Sequence, residues 1–192
     1  MRRLLLVRHA PTGATRATAF PRDEPLDERA IVAAAALAAA IPRGCEVLSS
    51  PALRCLQTAE AAGLTATPEP RLSECDFGRW AGSTLAEVHA ADPDAARSWM
   101  LDPDAAPHDG EPLTAFTERV AEWLDDQAQR PGTITAITHA GVVKAAVVYA
   151  LGAPMSAFWQ IDAAPLSLTE MHAHDGCWTV TRVNCLLGGG AP

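Results

Sequence analysis

Short apolar runs alternate with longer amphipathic or Ala-rich stretches along most of the chain. Residues 4–7 are wholly apolar, the pattern of a strand buried on both faces. Residues 27–41 are rich in Ala and Leu, begin with Asp27 and Glu28, and are followed by Pro42-Arg43-Gly44. That predicts a helix with both ends marked. Val47-Leu48 predicts a second strand. Ser50 before Pro51 predicts the N-cap of a helix over 52–62, which Gly63 closes. A third strand is expected within 65–70, then an irregular loop over 72–82 around Gly78 and Gly82. Ser83, with Glu87 downstream, is expected to cap a helix over 83–91. Residues 92–112 contain Pro93, Pro103, Pro107 and Pro112 and read as a short helix followed by a loop. Residues 113–128 place Val120, Trp123 and Leu124 on one face and Glu118, Glu122 and Asp126 on others, an amphipathic helix. Residues 133–138 are β-branched and apolar, a strand, and 140–151 form an apolar helix closed by Gly152. Alternation around Leu166, Leu168 and Glu170, and again around Trp178, Val180 and Arg182, predicts two closing strands joined at Asp175-Gly176.

Strands alternating with helices define an α/β class. No linker divides the chain, so one catalytic domain over 1–187 is expected, with Gly188-Gly189-Gly190 opening a flexible tail over 188–192. In α/β folds, sites form at the carboxyl ends of strands. Arg8-His9 follows the first strand, Ser49-Ser50 and then Arg54 follow the second, and His139 follows the 133–138 strand. Groups distant in sequence are thereby expected to meet at one sheet edge.

Composition narrows the partners. The 192 residues are 48% hydrophobic and 20% charged, ordinary for a globular domain. The net charge of −8 argues against a nucleic-acid partner but leaves room for a local basic pocket. The five cysteines show no C-x-x-C spacing and read as reduced thiols. After Arg2 and Arg3 only four apolar residues precede Arg8, too few for a signal-peptide core of about 7–15. The Ala-rich run over 31–41 falls short of the roughly 20 residues needed to cross a bilayer. A cytoplasmic protein with no membrane partner is expected; the oligomeric state is not legible.

A metal-free phosphoryl-transfer site needs a nucleophile, donors for the phosphate oxygens and an acid for the leaving group. His9 suits the first role. Arg8 and Arg54 carry planar forks that match phosphate. His139 adds a donor at a helix start, where free N–H groups attract anions. Glu74 offers a carboxyl group. Each residue alone also has an ordinary structural reading: Arg54 as a solvated helix residue, His139 as a helix-start residue, Glu74 as a loop carboxylate. Arg8-His9, itself readable as structural after a strand, falls together with Arg54 and His139 at strand ends, and only Glu74 of these four positions does not.

Leu6-Val7-Arg8-His9 resembles the signature of the histidine phosphatase (phosphoglycerate mutase-like) superfamily, with Ala10 where Gly is usual. Ser49-Ser50-Pro51-Ala52-Leu53-Arg54 with Gln57-Thr58-Ala59, Leu72-Ser73-Glu74 with Phe77-Gly78-Arg79-Trp80-Ala81-Gly82, Gly110-Glu111, and Thr138-His139-Ala140-Gly141 resemble four further blocks, in order. The blocks span residues 4–142, roughly three quarters of the chain. The resemblance implies a three-layer α/β/α sandwich, phosphorylation of His9, phosphate binding by Arg8, Arg54 and His139, and Glu74 as acid and base. It implies no metal and no organic cofactor. The expected activity is hydrolysis of a small-molecule phosphomonoester, as in ribazole-phosphate or broad-specificity phosphatases. The alternatives are a mutase, which tends to be longer, and a non-catalytic phosphate-binding module, which is expected to lack one of the five side chains present here.

Thr15 stands where many members place a phosphate-contacting Asn, and Arg16 and Arg22 are the nearby replacements, each equally readable as surface. His172 and His174 share a strand face beside Asp175, but no third metal ligand is evident. His108-Asp109 is open between substrate contact and solvated loop. Trp80, Trp99 and Trp123 read as core or pocket wall, and Trp99 and the loop after it suit a lid.

Overall fold

The computed structural model describes residues 1–186; the tail expected over 188–192 lies outside the described residues. The apolar run at the start forms β1 (Arg2–Arg8), with Leu4, Leu5, Leu6 and Val7 all buried. The other strands are β2 (Glu46–Ser49), β3 (Thr67–Pro68), β4 (Gly132–Thr138), β5 (Ser167–His174) and β6 (Cys177–Leu186). They form one mixed sheet in the order β3-β2-β4-β1-β5-β6. The pairs β3–β2, β2–β4 and β4–β1 are parallel, whereas β1–β5 and β5–β6 are antiparallel.

Alternate side chains of β1 sort into two cores, as the two-residue strand period requires. Leu4 and Leu6 pack with Ile134 and Ala136 against α6 (Leu113–Ala128) and α7 (Ala140–Leu151). Leu5 and Val7 pack with Ile137 against α3 (Leu53–Ala61) and the segment after α2 (Glu28–Ala34). Helices thus cover both faces, giving the three-layer sandwich. Phe116, Val120, Trp123 and Leu124 are fully buried along the inner face of α6. Pairing a run of buried aromatic and aliphatic groups with the sheet supplies most of the burial that holds this layer, at about 25 cal/mol per Å² of apolar surface.

Several local expectations change. The helix expected over 27–41 is capped by Asp27, which accepts from Ala30 N at 2.9 Å, but after Ala34 it tightens into a 3-10 segment, Ala35–Ala39. Ser83 does not cap α4 (Leu85–Ala91). Thr84 does, because Glu87 lies three residues beyond it and completes a capping box: Thr84 N donates to Glu87 at 2.7 Å and Glu87 N donates to Thr84 at 3.1 Å. Ser50 does not cap α3 either; the N-cap is Ala52, and the serine hydroxyl accepts from Ala52 N at 3.3 Å while also reaching the site described below. The third strand is confined to two residues. The sequence pattern also does not disclose the short α1 (Gly13–Ala17) or the 3-10 turn Met155–Gln160. The short helix expected after residue 92 is α5 (Pro93–Leu101).

The loop over 72–82 is held against the loop over 105–112. Gly78 has φ 45°, and a Cβ there would lie 2.1 Å from the carbonyl oxygen of His108. Arg79 N donates to the same carbonyl at 2.9 Å. His108 itself is fully buried, with its ring 5.1 Å from that of Trp80, so it belongs to the packing beneath these loops. Asp109 is exposed and pairs with Arg79.

Candidate active site

The parallel strands β1, β2 and β4 end side by side, and their continuations meet there. His9 N donates to Thr138 O, and Ser50 N donates to Ile137 O, each at 2.9 Å. These backbone bonds fix the exit direction of all three strands. Arg8, His9, Ser50 and His139 therefore converge from three separate parts of the chain, and Arg54 reaches them from the first turn of α3.

Both imidazoles are buried and neutral. His9 Nδ1 donates to Ala10 O at 2.7 Å, which leaves its Nε2 unprotonated and accepting from Arg54 Nε at 3.3 Å. Burial, then the Arg54 charge, lowers the His9 pKa to about 3. His139 accepts from Arg54 Nη2 at its Nδ1, 3.1 Å away, and donates from Nε2 to Ser50 Oγ at 2.8 Å. Burial, then the Arg54 charge, holds its pKa well below the usual histidine range. The two rings stand 5.2 Å apart, edge to face. Arg54 Nη1 donates to Arg22 O at 2.7 Å, so one guanidinium bridges both rings and a loop carbonyl.

Arg8 donates to Ala163 O at 2.6 Å, while its Nε is buried without a partner among the described residues. Burial lowers its pKa, opposed by the nearby Glu74 carboxylate. Glu74 enters from the loop after a 3-10 turn, Pro70–Leu72, rather than from a strand end. Its Oε1 accepts from Cys75 N at 3.1 Å, and its Oε2 accepts from Gly141 N, near the start of α7, at 3.3 Å. Gly141 is required by this approach: a Cβ there would lie 2.1 Å from Glu74 Oε1.

Arg8, His9 and Glu74 face a cavity of about 530 Å³, walled by Thr15, Phe20, Phe77, Trp99 and Asp162 among others. Arg54 and His139 open with Glu74 onto an adjoining cleft. Glu74 is common to both. Thr15 lines the cavity but its hydroxyl accepts from Thr12 N in the cap of α1. Arg16 pairs with Asp27 on the surface. Arg22 contributes its carbonyl to Arg54, while its own Nε donates to Ala81 O at 3.1 Å. Trp123 is core, and Trp99 is cavity wall.

His172 and His174 do not act together. His172 pairs with Glu170 at 2.8 Å and His174 with Asp175 at 3.1 Å. Among the described residues no three His, Cys, Asp or Glu side chains gather as metal ligands, and none of the five cysteines is paired. Sequence reasoning missed Ser50 as the partner of His139, Thr58, whose hydroxyl accepts from Ala10 N at 3.0 Å, and Lys144, which lines a cavity beside Glu74. Ser50 and Thr58 carried a signal, as parts of the second sequence block; Lys144 carried none.

An α/β sandwich with two imidazoles and two guanidiniums gathered at adjacent strand ends has a counterpart among known proteins. The chain belongs to the histidine phosphatase superfamily (branch 1), which it matches over residues 4–186. It is 32% identical over 195 residues to a bifunctional protein of Mycobacterium tuberculosis, covering 95% of this chain and 53% of that protein. The chain thus spans about half the length of that curated relative. It is 29% identical to phosphoserine phosphatase 1 of Hydrogenobacter thermophilus, over 98% of this chain and 95% of that one. A solved mycobacterial glucosyl-3-phosphoglycerate phosphatase, complexed with VO3, superposes with a TM-score of 0.81 at 26% identity, covering 96% and 100% of the two chains. The α-ribazole phosphatase of Shigella flexneri shares the fold, with a TM-score of 0.82 at 24% identity over 98% and 100%. No helix among the described residues is long and apolar enough to cross a membrane.

Proposed function

We propose that this protein is a phosphomonoesterase that carries the phosphoryl group on His9, with Glu74 as the general acid and base. The observation that carries this reading is the state of His9. Its Nδ1 proton is committed to the Ala10 carbonyl, so its Nε2 lone pair meets the Arg54 guanidinium, and Arg8 and Glu74 line the same cavity as His9. The phosphoryl group of a small phosphomonoester binds between Arg8, Arg54 and His139. Arg54 Nε then exchanges its bond to His9 Nε2 for a phosphate oxygen and frees the lone pair. Nε2 attacks phosphorus, the bond from phosphorus to the alcohol oxygen breaks, and Glu74 gives that oxygen its proton. Water next gives a proton to Glu74 as its oxygen attacks phosphorus. The P–N bond breaks, its electron pair returns to Nε2, phosphate leaves, and Glu74 is ready again as an acid.

The charges offered to the phosphoryl group come from side chains, where a metal enzyme would present carboxylates. Purified protein is therefore expected to release phosphate from a panel of small phosphomonoesters and to keep that activity after exhaustive EDTA treatment. Release from none of them, or a loss that Mg²⁺ or Zn²⁺ restores, overturns the reading. Names of similar proteins support the same class: a phosphoserine phosphatase and a glucosyl-3-phosphoglycerate phosphatase, the latter solved with VO3.

The contact between Glu74 and Gly141 supplies a second test. Gly141→Ala puts a methyl group where Oε1 now lies, and the carboxylate must move. Misplacing a catalytic group by about 1 Å costs on the order of a hundredfold in rate. Alanine also favours a helix over glycine by about 1 kcal/mol. The variant is expected to lose activity on that scale while staying folded, with the Phe116 ring, 3.1 Å from the added methyl group, giving way slightly. Retained activity would show that the position of Glu74 does not matter.

A further inference from the structure

Lys144 is the single lysine among 15 Lys and Arg residues. It follows Gly141 by three positions on α7, so both share the helix face that meets Glu74. Lys144 lines a cavity of about 170 Å³ distinct from the larger one, and Glu74, Phe77 and Trp99 wall both. Its other walls are largely apolar: Leu113, Phe158 and Trp159. Trp159 meets Trp99 edge to face at 4.8 Å, and the Lys144 ammonium sits 5.4 Å from the centre of the Phe158 ring. Among the described residues Lys144 forms no ion pair. Burial lowers the Lys144 pKa, and the more distant charges of Glu74 and Asp162 oppose that shift.

A cation beside largely apolar walls that makes no direct ion pair with the Glu74 carboxylate sharing its cavity is incompletely compensated, and attraction to a further opposite charge is strong where water is scarce. The position of the cavity says which part of a substrate meets it. On the phosphatase reading, Arg8 and Arg54 hold the phosphoryl group in the cavity and the cleft that Glu74 also lines, whereas Lys144 lines a separate cavity with Glu74. Glu74 meets the leaving oxygen, so what extends past it toward Lys144 is the alcohol. One ammonium balances one negative charge, and the surrounding aromatic rings offer little to the extra oxygens of a second phosphate. A carboxylate fits this chemistry.

We propose that Lys144 is a specificity-determining residue whose ammonium binds a carboxylate on the alcohol part of the substrate, which makes the substrate class the phosphomonoesters of hydroxy acids. The proposal rests on the phosphatase reading above. Its test uses a matched pair, 3-phosphoglycerate and glycerol 3-phosphate, which differ by a carboxylate in place of a hydroxymethyl group. Both are compared with p-nitrophenyl phosphate, in wild type and in Lys144→Met, which keeps most of the apolar stem. A contact between charged groups supports at least about a tenfold effect. Wild type is expected to favour 3-phosphoglycerate over glycerol 3-phosphate by at least about tenfold in kcat/KM, and Lys144→Met to lose most of that ratio. The ratio is taken within each protein, so a poorly folded fraction cancels. Equal use of the pair by wild type, or an unchanged ratio in the variant, overturns the subsite. So does hydrolysis of p-nitrophenyl phosphate with neither of the pair, which leaves the phosphatase reading standing. If wild type hydrolyses none of the three, both readings fall together.

Discussion

His9→Ala is expected to lower phosphate release by roughly three orders of magnitude or more, the scale seen when a nucleophile acting within a catalytic unit is removed. With Nε2 gone, the proposed phosphoryl acceptor beside the Arg54 and Arg8 guanidiniums is lost. Wild type mixed rapidly with substrate and quenched in alkali should carry an acid-labile, base-stable phosphoryl group, as a phosphoramidate does, and His9→Ala should carry none. Substantial turnover by the variant sinks the assignment. Stability provides a separate reading. The unfolded-state pKa of His9 lies near 6.5 and the folded value is about 3, so the unfolded chain binds the extra proton. The stability contributed by the neutral ring is therefore full above pH 6.5 and is lost as pH falls toward 3. His139 shifts in the same direction. Denaturant titrations at pH 7 and pH 5 should show wild type losing stability between them, and His9→Ala losing less.

The sheet and the strand-end residues were legible because they obey periodic rules. A wholly apolar run at residues 4–7 and a β-branched run at 133–138 have few other ways to bury their side chains, and polar groups just after them project at the sheet edge. That reasoning alone brings Arg8, His9, Arg54 and His139 together. Glu74 obeys no such rule. It arrives from a loop whose path is set by contacts distant in sequence, between Gly78 and the His108 carbonyl and between Arg119 and the carbonyls of Arg71 and Ser73. It was found through its sequence block alone. Lys144 was hidden for another reason. A cation at one position of an apolar helix looks like a solvent-facing break in the pattern until the 3-10 turn at Met155–Gln160 places Phe158 and Trp159 over it. The misassigned Ser50 shows the limit of local chemistry. A serine before a proline suits an N-cap, but here the buried His139 Nε2–H needs an acceptor, and the serine meets that need.

Glu74→Gln is expected to separate the two chemical steps. As a general acid, Glu74 matters in proportion to how badly the leaving group needs a proton. An alkoxide needs one, whereas p-nitrophenolate leaves without help. General acid catalysis contributes about a hundredfold or more. The variant should therefore be crippled on alkyl phosphates from the first step. On p-nitrophenyl phosphate, phosphorylation of His9 should proceed with a smaller loss, but the water step still lacks its base. Phosphoenzyme should then accumulate, visible in rapid mixing as a burst of nitrophenol close to one equivalent per site, followed by slow turnover. Two carboxylates of the neighbouring loop are poor substitutes. Glu111 is held by Arg119 through two contacts of 2.8 and 3.0 Å, and Asp109 pairs with Arg79 at the surface. Glutamine keeps one oxygen able to accept from Gly141 N but loses the acceptor that Oε1 offers to Cys75 N, and comparing two substrate classes within the one variant cancels that shared loss. Equal losses on both substrate classes in single turnover, with no burst, would mean that Glu74 only braces the loop against α7 and that the acid lies elsewhere.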